Sequence, residues 1–503
     1  MASGAKKLLI RGGRVYDHDG DVHHPAQADV LIEGADIVAV GRDLAPERTR
    51  DAEVLDATGR LVVPGLINAH YHSHDTLCRG LFEELPLEMW LLYTLPMGAS
   101  RSREEVRART LVGAVECLHA GITTVQDMLG LVPFADEYVD TVLAAYREAG
   151  LRVVFSPMVS DIPSAGMVRD RALLPADVQE MLGTKALGIN EQLDFLDRQM
   201  ARHPAQGTLH WAVAPFAPQR CTPAMLEGCA DLAERHDLSV YTHVYETRGQ
   251  VLIAREKFAG YGGSFIEYFR RTGLLNHRLN IVHTVWLGRR EMDRLAEADA
   301  GVVLNHLSNL KLKSGVAPVL DLREAGVRIG LGCDNCSGTD VQNMFQAVKM
   351  FCLLAAVSDP EPGPPLAHEA LRHATLGSAR SAGLGDVLGA IAPGRKADLF
   401  LIDLDDAGWL PFNSAARQLV YTETGRAVET VIVDGRVVMK DRRLATVDED
   451  ALRREVAALM KTFIVDYEDV VESRRRALPY MLDAHRRVWA ADVGMQRFLA
   501  RTR

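Results

Sequence analysis

Short apolar runs broken by glycine and aspartate open the chain. Leu8-Leu9-Ile10 leads to Gly12-Gly13, Asp29-Val30-Leu31-Ile32 to Gly34, and Ile37-Val38-Ala39-Val40 to Gly41. Val54-Leu55-Asp56 precedes a Thr58-Gly59 turn. Such punctuation predicts antiparallel strands. The same texture returns at Asp398–Ile402 and Val431–Val437, so one small β-domain is expected from both ends of the chain. Between them the pattern changes. Apolar runs at 61–67, 122–126, 152–157, 209–214, 239–243, 280–283, 301–304 and 327–332 alternate with amphipathic stretches such as 102–120 and 222–236. Eight strands alternating with helices predict a (β/α)8 TIM-like barrel, with a doubly wound sheet as the alternative. The expected organisation is α/β: 1–60 and 393–445 form a β-sandwich, 61–392 the barrel, and 446–503 a helical tail rich in Arg and Glu.

The 503 residues exceed one ordinary domain, and 48% hydrophobic with 25% charged residues describes a globular protein rather than a disordered or fibrous one. A net charge of -10 speaks against nucleic acid or an anionic membrane as the main partner. Seven cysteines are too few for a disulfide scaffold and suit a reducing compartment. No run of 18 apolar residues occurs, and the first residues lack a signal-peptide core. A cytoplasmic enzyme, homodimeric or homotetrameric, is the expectation.

Chemistry enters at the strand ends. His70 and His72 follow the first barrel run in an Asn-Ala-His-Tyr-His sequence; in an extended chain residues i and i+2 face one side and can share one metal ion. His243 ends the fifth run with Glu246 three residues on, His283 ends the sixth, and Asp334 follows the eighth. Barrel active sites lie at the carboxyl ends of strands. Three neutral imidazoles and a carboxylate suit one divalent ion, Zn²⁺ before Fe²⁺, with a position left for water. A metal lowers the pKa of its water toward neutrality. Glu246, not needed as a ligand, fits the proton carrier.

Other features are read more plainly. Cys333-Asp334-Asn335-Cys336 has no second cysteine pair, so it is taken as two buried thiols around a functional aspartate. His74, His119, His203, His210, His236, His277 and His306 lack the strand-end setting, with His74 and His306 the foremost exceptions. Trp90, Tyr93 and Met97 stand at helical spacing and are core by default, although they follow the metal loop closely enough to wall a substrate.

These residues resemble the amidohydrolase superfamily, within it the zinc-dependent aminohydrolases that include adenosine-like, guanine and s-triazine deaminases. The resemblance runs from Val63-Pro64-Gly65-Leu66-Ile67-Asn68-Ala69-His70-Tyr71-His72 through Leu77-Cys78-Arg79-Gly80, Gly121-Ile122-Thr123-Thr124, Ser308-Asn309-Leu310-Lys311-Leu312 and Gly394-Arg395-Lys396-Ala397-Asp398 to about residue 445. It implies one metal held by His70, His72, His243 and Asp334. His283 then contacts the metal or its attacking water, Glu246 shuttles protons, and Asp334 doubles as the base. The strand-five glutamate, absent from some triazine hydrolases, favours deamination over halide displacement.

The sequence departs from nucleoside deaminases at two places. Pro215-Phe216-Ala217-Pro218 stands where they often carry Pro-His-x-Pro, and Leu95-Pro96-Met97-Gly98 where a glutamate grips ribose. The expected activity is hydrolytic deamination of an amino-substituted pyrimidine, purine base, pterin or triazine. A C–N or C–Cl hydrolase is the alternative on the same scaffold, and a non-catalytic scaffold the alternative of another class. Arg79, Trp90, Phe216 and His306 are the candidate substrate contacts, with Trp286 a further aromatic candidate.

Overall fold

A computed structural model describes residues 6–99, 101–183 and 187–498. Eight parallel strands form its centre: Leu66–Tyr71 (β1), Ile122–Leu129 (β2), Arg152–Val159 (β3), Leu209–Pro215 (β4), Ser239–Val244 (β5), Leu279–His283 (β6), Gly301–Leu304 (β7) and Arg328–Leu331 (β8). They neighbour one another in sequence order, as alternation with helices requires. The seam between β8 and β1 is drawn together just past the end of β8. There Asp334 N–H donates to the His70 carbonyl (2.9 Å) and Cys333 N–H to Asn68 Oδ1 (2.9 Å). Every residue of β1, β2, β5, β6 and β7 is buried, which explains why these segments read as apolar runs without alternation.

The strands at the two chain ends form one mixed sheet of nine strands. Leu399–Asp403 pairs antiparallel with Arg60–Pro64, with Phe400 opposite Val63. The first barrel run thus divides. Leu61–Pro64 belongs to the terminal sheet, and the barrel begins at Leu66. Gly65 makes the switch possible, because a Cβ there would lie 2.0 Å from Thr123 Oγ1. The remaining barrel strands fall where the apolar runs predict, most of them one to three residues longer.

Beyond the sheet, Glu449–Arg474 and Leu478–Ala490 are helices. They return to the barrel and pack on the helix Leu87–Gly98 (α1 here, with α2 and α3 for the two tail helices). Phe463 of α2 and Met481 and Ala484 of α3 share one apolar cluster with Leu92, Tyr93 and Met97 of α1.

Candidate active site

The carboxyl ends of β1, β5, β6 and β8 bring six polar side chains into one buried cluster. Asp334 Oδ1 lies 3.5 Å from His70 Nε2 and 3.4 Å from His72 Nε2. His72 Nε2 is 3.3 Å from His243 Nε2, and His283 Nε2 is 3.6 Å from Glu246 Oε2 and 3.9 Å from Asp334 Oδ2. The strand-end residues picked out in the sequence therefore do meet, though they come from positions 70 to 334.

Three of the four imidazoles are oriented from behind. His72 Nδ1–H donates to the Met128 carbonyl, His243 Nδ1–H to the Phe216 carbonyl (2.7 Å), and His283 Nδ1–H to Asn309 Oδ1 (2.9 Å). With Nδ1 protonated, each Nε2 offers a lone pair to the cluster. Both ring nitrogens of His70 are buried without a partner. Unpaired buried nitrogens are costly unless something binds them. His70, His72 and Asp334 form one group whose ligand atoms lie within 4.8 Å of one another, and His70, His243 and His283 form another. The donor set, three or four neutral imidazoles and one carboxylate, fits a single divalent ion of the zinc type.

Backbone strain accompanies the cluster. His283 (φ 76°), Thr284 (φ 52°), Asp334 (φ 70°) and Tyr245 (φ 52°) all lie in the left-handed region, a conformation that side chains other than glycine's take at a cost and that concentrates at functional sites.

Burial and neighbours push the two carboxyl groups apart. For Glu246, burial, the adjacent Asp334 and then Glu88 raise the pKa well above the usual carboxylate range. For Asp334, burial works in the same direction, but the His70 hydrogen bond and the imidazoles of His283 and His72 hold it well below that range. Ser308 Oγ–H donates to Asp334 Oδ2 (2.6 Å) and Asn335 N–H to Oδ1 (2.8 Å), both favouring the anion. Three of the imidazoles are biased toward the neutral form: burial brings His70 down to about 4 and lowers His283, and burial with three neighbouring imidazoles takes His243 well below the ordinary value.

A pocket opens from this cluster, and its outer wall is apolar. Leu87, Trp90, Leu91 and Leu95 of α1 face it, joined by Met158, Met167, Phe216 and Leu312. Trp90 and Phe216 are therefore placed where a substrate would meet them. Trp90 is anchored by its Nε1–H, which donates to Ser337 Oγ (3.0 Å). Tyr93 and Met97 point the other way, into the cluster shared with the tail.

Two of the expected substrate contacts lie elsewhere. Arg79 does not line the pocket; it pairs with Glu116 on the helix Arg103–His119 and remains 37% exposed. His306 opens the short helix His306–Lys311 and turns into the packing beside Phe351, with ring centroids 6.1 Å apart. It too is absent from the pocket lining. Trp286 is likewise buried away from it, donating to the Ser314 carbonyl (2.8 Å) and packed against Trp489 and Phe498 of the C-terminal segment.

Sequence reasoning kept His74 open only as an exception among the histidines, and passed over Leu91, Thr94, Leu95, Met158, Met167, Leu312 and Asn335 of the lining. The leucines carried a usable signal: 87, 90, 91, 94 and 95 follow the i, i+3, i+4, i+7, i+8 spacing of one helix face. The reading also did not assign Asp75. Its carboxylate accepts from Cys336 N–H (3.1 Å) and Ser337 N–H (3.0 Å), and so ties the turn after Asp334 to the turn after His72. Cys333 and Cys336, on either side of that aspartate, are buried free thiols, as expected of the Cys-x-x-Cys.

Comparison with known proteins agrees with this geometry. The 5'-deoxyadenosine deaminase of Methanothermobacter thermautotrophicus is 33% identical over 449 residues, covering 88% of this chain and 96% of its own. Among solved structures, an adenosine deaminase from Xanthomonas campestris with bound zinc superposes with a TM-score of 0.79 at 27% identity, over 92% of this chain and 99% of its own. The atrazine chlorohydrolase from Arthrobacter aurescens TC1, complexed with zinc, does so with a TM-score of 0.80 at 26% identity, over 90% and 99%. The model of the Amidohydrolase family matches residues 61–438, from the strand before His70 to the last strands of the terminal sheet, and the chain belongs to that family.

Proposed function

We propose that this protein is a metal-dependent hydrolase that deaminates an amino-substituted nitrogen heterocycle, with His70, His72, His243 and Asp334 holding one divalent ion, zinc before iron. The ion supplies a Lewis acid that makes water a nucleophile near neutral pH. The observation that carries the reading is the pair of carboxyl groups beside the imidazole cluster, one kept protonated and the other ionised. Environments that split two carboxyl pKa values assign an acid and a base.

Asp334, the anion, takes a proton from the attacking water. Glu246, the neutral acid, donates its proton to the ring nitrogen next to the carbon under attack. His283, hydrogen-bonded through Nδ1 to Asn309, presents Nε2 between both carboxyl groups and steadies the water. Oxygen adds to the ring carbon, the C–N bond to the amine breaks, the proton collected by Asp334 leaves with the nitrogen as ammonia, and the proton remaining on the added oxygen returns to Glu246 as the oxo group forms. Water and the aminoheterocycle are thus converted to the oxo-heterocycle and ammonia.

The apolar wall supports a flat heterocycle with an apolar or small substituent over a ribosyl one. Each unpaired buried hydroxyl costs on the order of 1–3 kcal/mol. The relatives' activity on deoxyadenosine keeps a nucleoside as the second reading. Ammonia release from aminopyrimidines, aminopurines, aminopterins, aminotriazines and adenosine, measured beside metal content, tests both. Turnover of a free base at ten times the rate of its nucleoside supports the first. Faster turnover of adenosine overturns it, and release of chloride but not ammonia from a chlorotriazine overturns deamination itself.

A further inference from the structure

We propose that His74 is a specificity-determining residue, whose Nε2–H donates a hydrogen bond to a ring carbonyl oxygen of the substrate. The inference rests on the heterocycle reading above and deepens it.

His74 sits in the turn Ser73–Cys78 directly after β1, and its side chain lines the pocket. The ring is held from three sides. Gly130 N–H donates to Nδ1 (3.1 Å). A Cβ on Gly98 would come within 3.0 Å of Cδ2, and a Cβ on Gly130 within 3.3 Å of Cε1. The ring of His72 stands 5.2 Å away, tilted by 59°. Two glycines therefore leave the slot that the imidazole fills, and a backbone amide sets its orientation. An amide that donates to Nδ1 requires the lone pair there, so the hydrogen of the neutral ring sits on Nε2. Among the described residues Nε2 has no hydrogen-bond partner.

The rest of the lining offers this donor little competition. Thr94 spends its hydroxyl proton on the Trp90 carbonyl (3.3 Å). Asn335 turns its Oδ1 toward Gly338, where a Cβ would meet it at 2.5 Å, and its amide nitrogen is the other side-chain donor of the lining, with no backbone group presetting it as Gly130 presets His74. The remaining polar groups belong to the cluster at the reacting carbon. An otherwise apolar pocket with one preset N–H donor recognises a flat ring carrying an acceptor a few ångströms from the carbon under attack. A site built this way rejects the analogue that lacks the acceptor, because the donor is then buried unpaired.

The test compares matched substrates on the metal-loaded enzyme: cytosine with 4-aminopyrimidine, isocytosine with 2-aminopyrimidine, and guanine with 2-aminopurine. Each first member carries a ring carbonyl that the second lacks. In the native protein the carbonyl member of the accepted pair should have a kcat/KM roughly tenfold higher, the worth of one neutral hydrogen bond. His74→Phe, which keeps the slot filled, should remove that preference by raising KM for the carbonyl member alone, with metal content unchanged. His74→Gln, which restores an N–H, should recover part of it. Should His74→Phe fold poorly, His74→Ala is read in the same way.

A preference that survives the loss of the imidazole overturns the proposal. So does an equal loss for both members of the pair, which marks a packing role, and so does a native enzyme with no preference. If no pair is turned over, the deamination reading fails separately. Calorimetric binding of the same six compounds to the zinc-loaded protein then decides about His74 by the same pairwise difference.

Discussion

The inner end and the outer wall of the pocket are built on opposite principles. The inner end takes its six side chains from four strand ends, and a backbone carbonyl, an amide or a neighbouring side chain orients most of them. The outer wall takes its side chains mainly from one helix, α1, with Met158 of β3 and loop residues, and apart from the Trp90–Ser337 hydrogen bond packing holds it. Part of that packing comes from α2 and α3, some 360 residues further along the chain, where Phe463 shares a cluster with Leu92. Strand ends of a nearly closed barrel hardly move relative to one another, whereas a helix resting on side chains can be re-tilted by a few substitutions. Chemistry is thus fixed where the scaffold is stiffest, and substrate choice lies where it is softest.

That contrast is sharpest when a ligand is removed. His72→Ala or His243→Ala should abolish both bound metal and ammonia release, a loss beyond about 10⁴-fold, because no step proceeds without activated water. Elemental analysis beside activity checks it, and two tightly held ions in the native chain would contradict the single-ion reading. Acid should act on the same end. Burial takes His70 down to about 4, so protons compete for its nitrogen only below that pH. The His70 contribution to metal affinity should be nearly level from about pH 8 to 5 and fall steeply below about 4. A site of ordinary imidazoles would already weaken below about 7.

Glu246→Gln should come next in size. It keeps shape and metal but removes the acid, for a loss on the order of 10²–10⁴ in kcat. Near-normal turnover in this variant would transfer the proton step elsewhere and favour displacement of a good leaving group.

The two ends also differ in how far the sequence discloses them. His70, His72, His243, His283 and Asp334 are visible because an apolar strand that ends in an imidazole or carboxylate has few structural reasons to do so. The barrel follows from alternation for a similar reason. What stays hidden depends on turns. Leu61–Ile67 reads as one strand because both halves are buried, and only Pro64-Gly65 marks the change of sheet. Arg79 and His306 look as well placed as His74, and the turn Ser73–Cys78 and the helix His306–Lys311 decide which side chain reaches the pocket. The alternation His70, His72, His74 was present, but it continues into the pocket through a 3-10 turn rather than a strand, which period-two reasoning does not anticipate.

At the wall, effects should be smaller and should fall on KM. Phe216→His replaces an apolar face by a polar one while its backbone carbonyl still orients His243. For an apolar-substituted heterocycle kcat/KM should drop by about 10- to 100-fold, the worth of ~1–3 kcal/mol of apolar contact, with metal content untouched. If nucleoside turnover rises in the same variant, position 216 is a substrate selector. A fall in bound metal would instead make Phe216 part of the inner end and dissolve the distinction drawn above.

The smallest effect on activity should come from the tail, and it is the most searching test of the wall. Phe463 of α2 is only 2% exposed, lies in the apolar cluster with Trp90 and Tyr93, and carries the Arg101 guanidinium over its ring at 5.2 Å. Phe463→Ala leaves a cavity and should cost ~3–5 kcal/mol of stability, readable as a lower urea midpoint. The inner end shares no packing with this position, so metal content and kcat should stay within about twofold. The helix α1 loses part of its support, so KM should rise a few-fold as Trp90 and Leu91 gain freedom. A variant that unfolds earlier yet keeps both kcat and KM would mean that α1 holds the wall by itself. A variant that loses kcat as well would mean that the wall helps to place the reacting carbon, and that the two ends of the pocket are mechanically one.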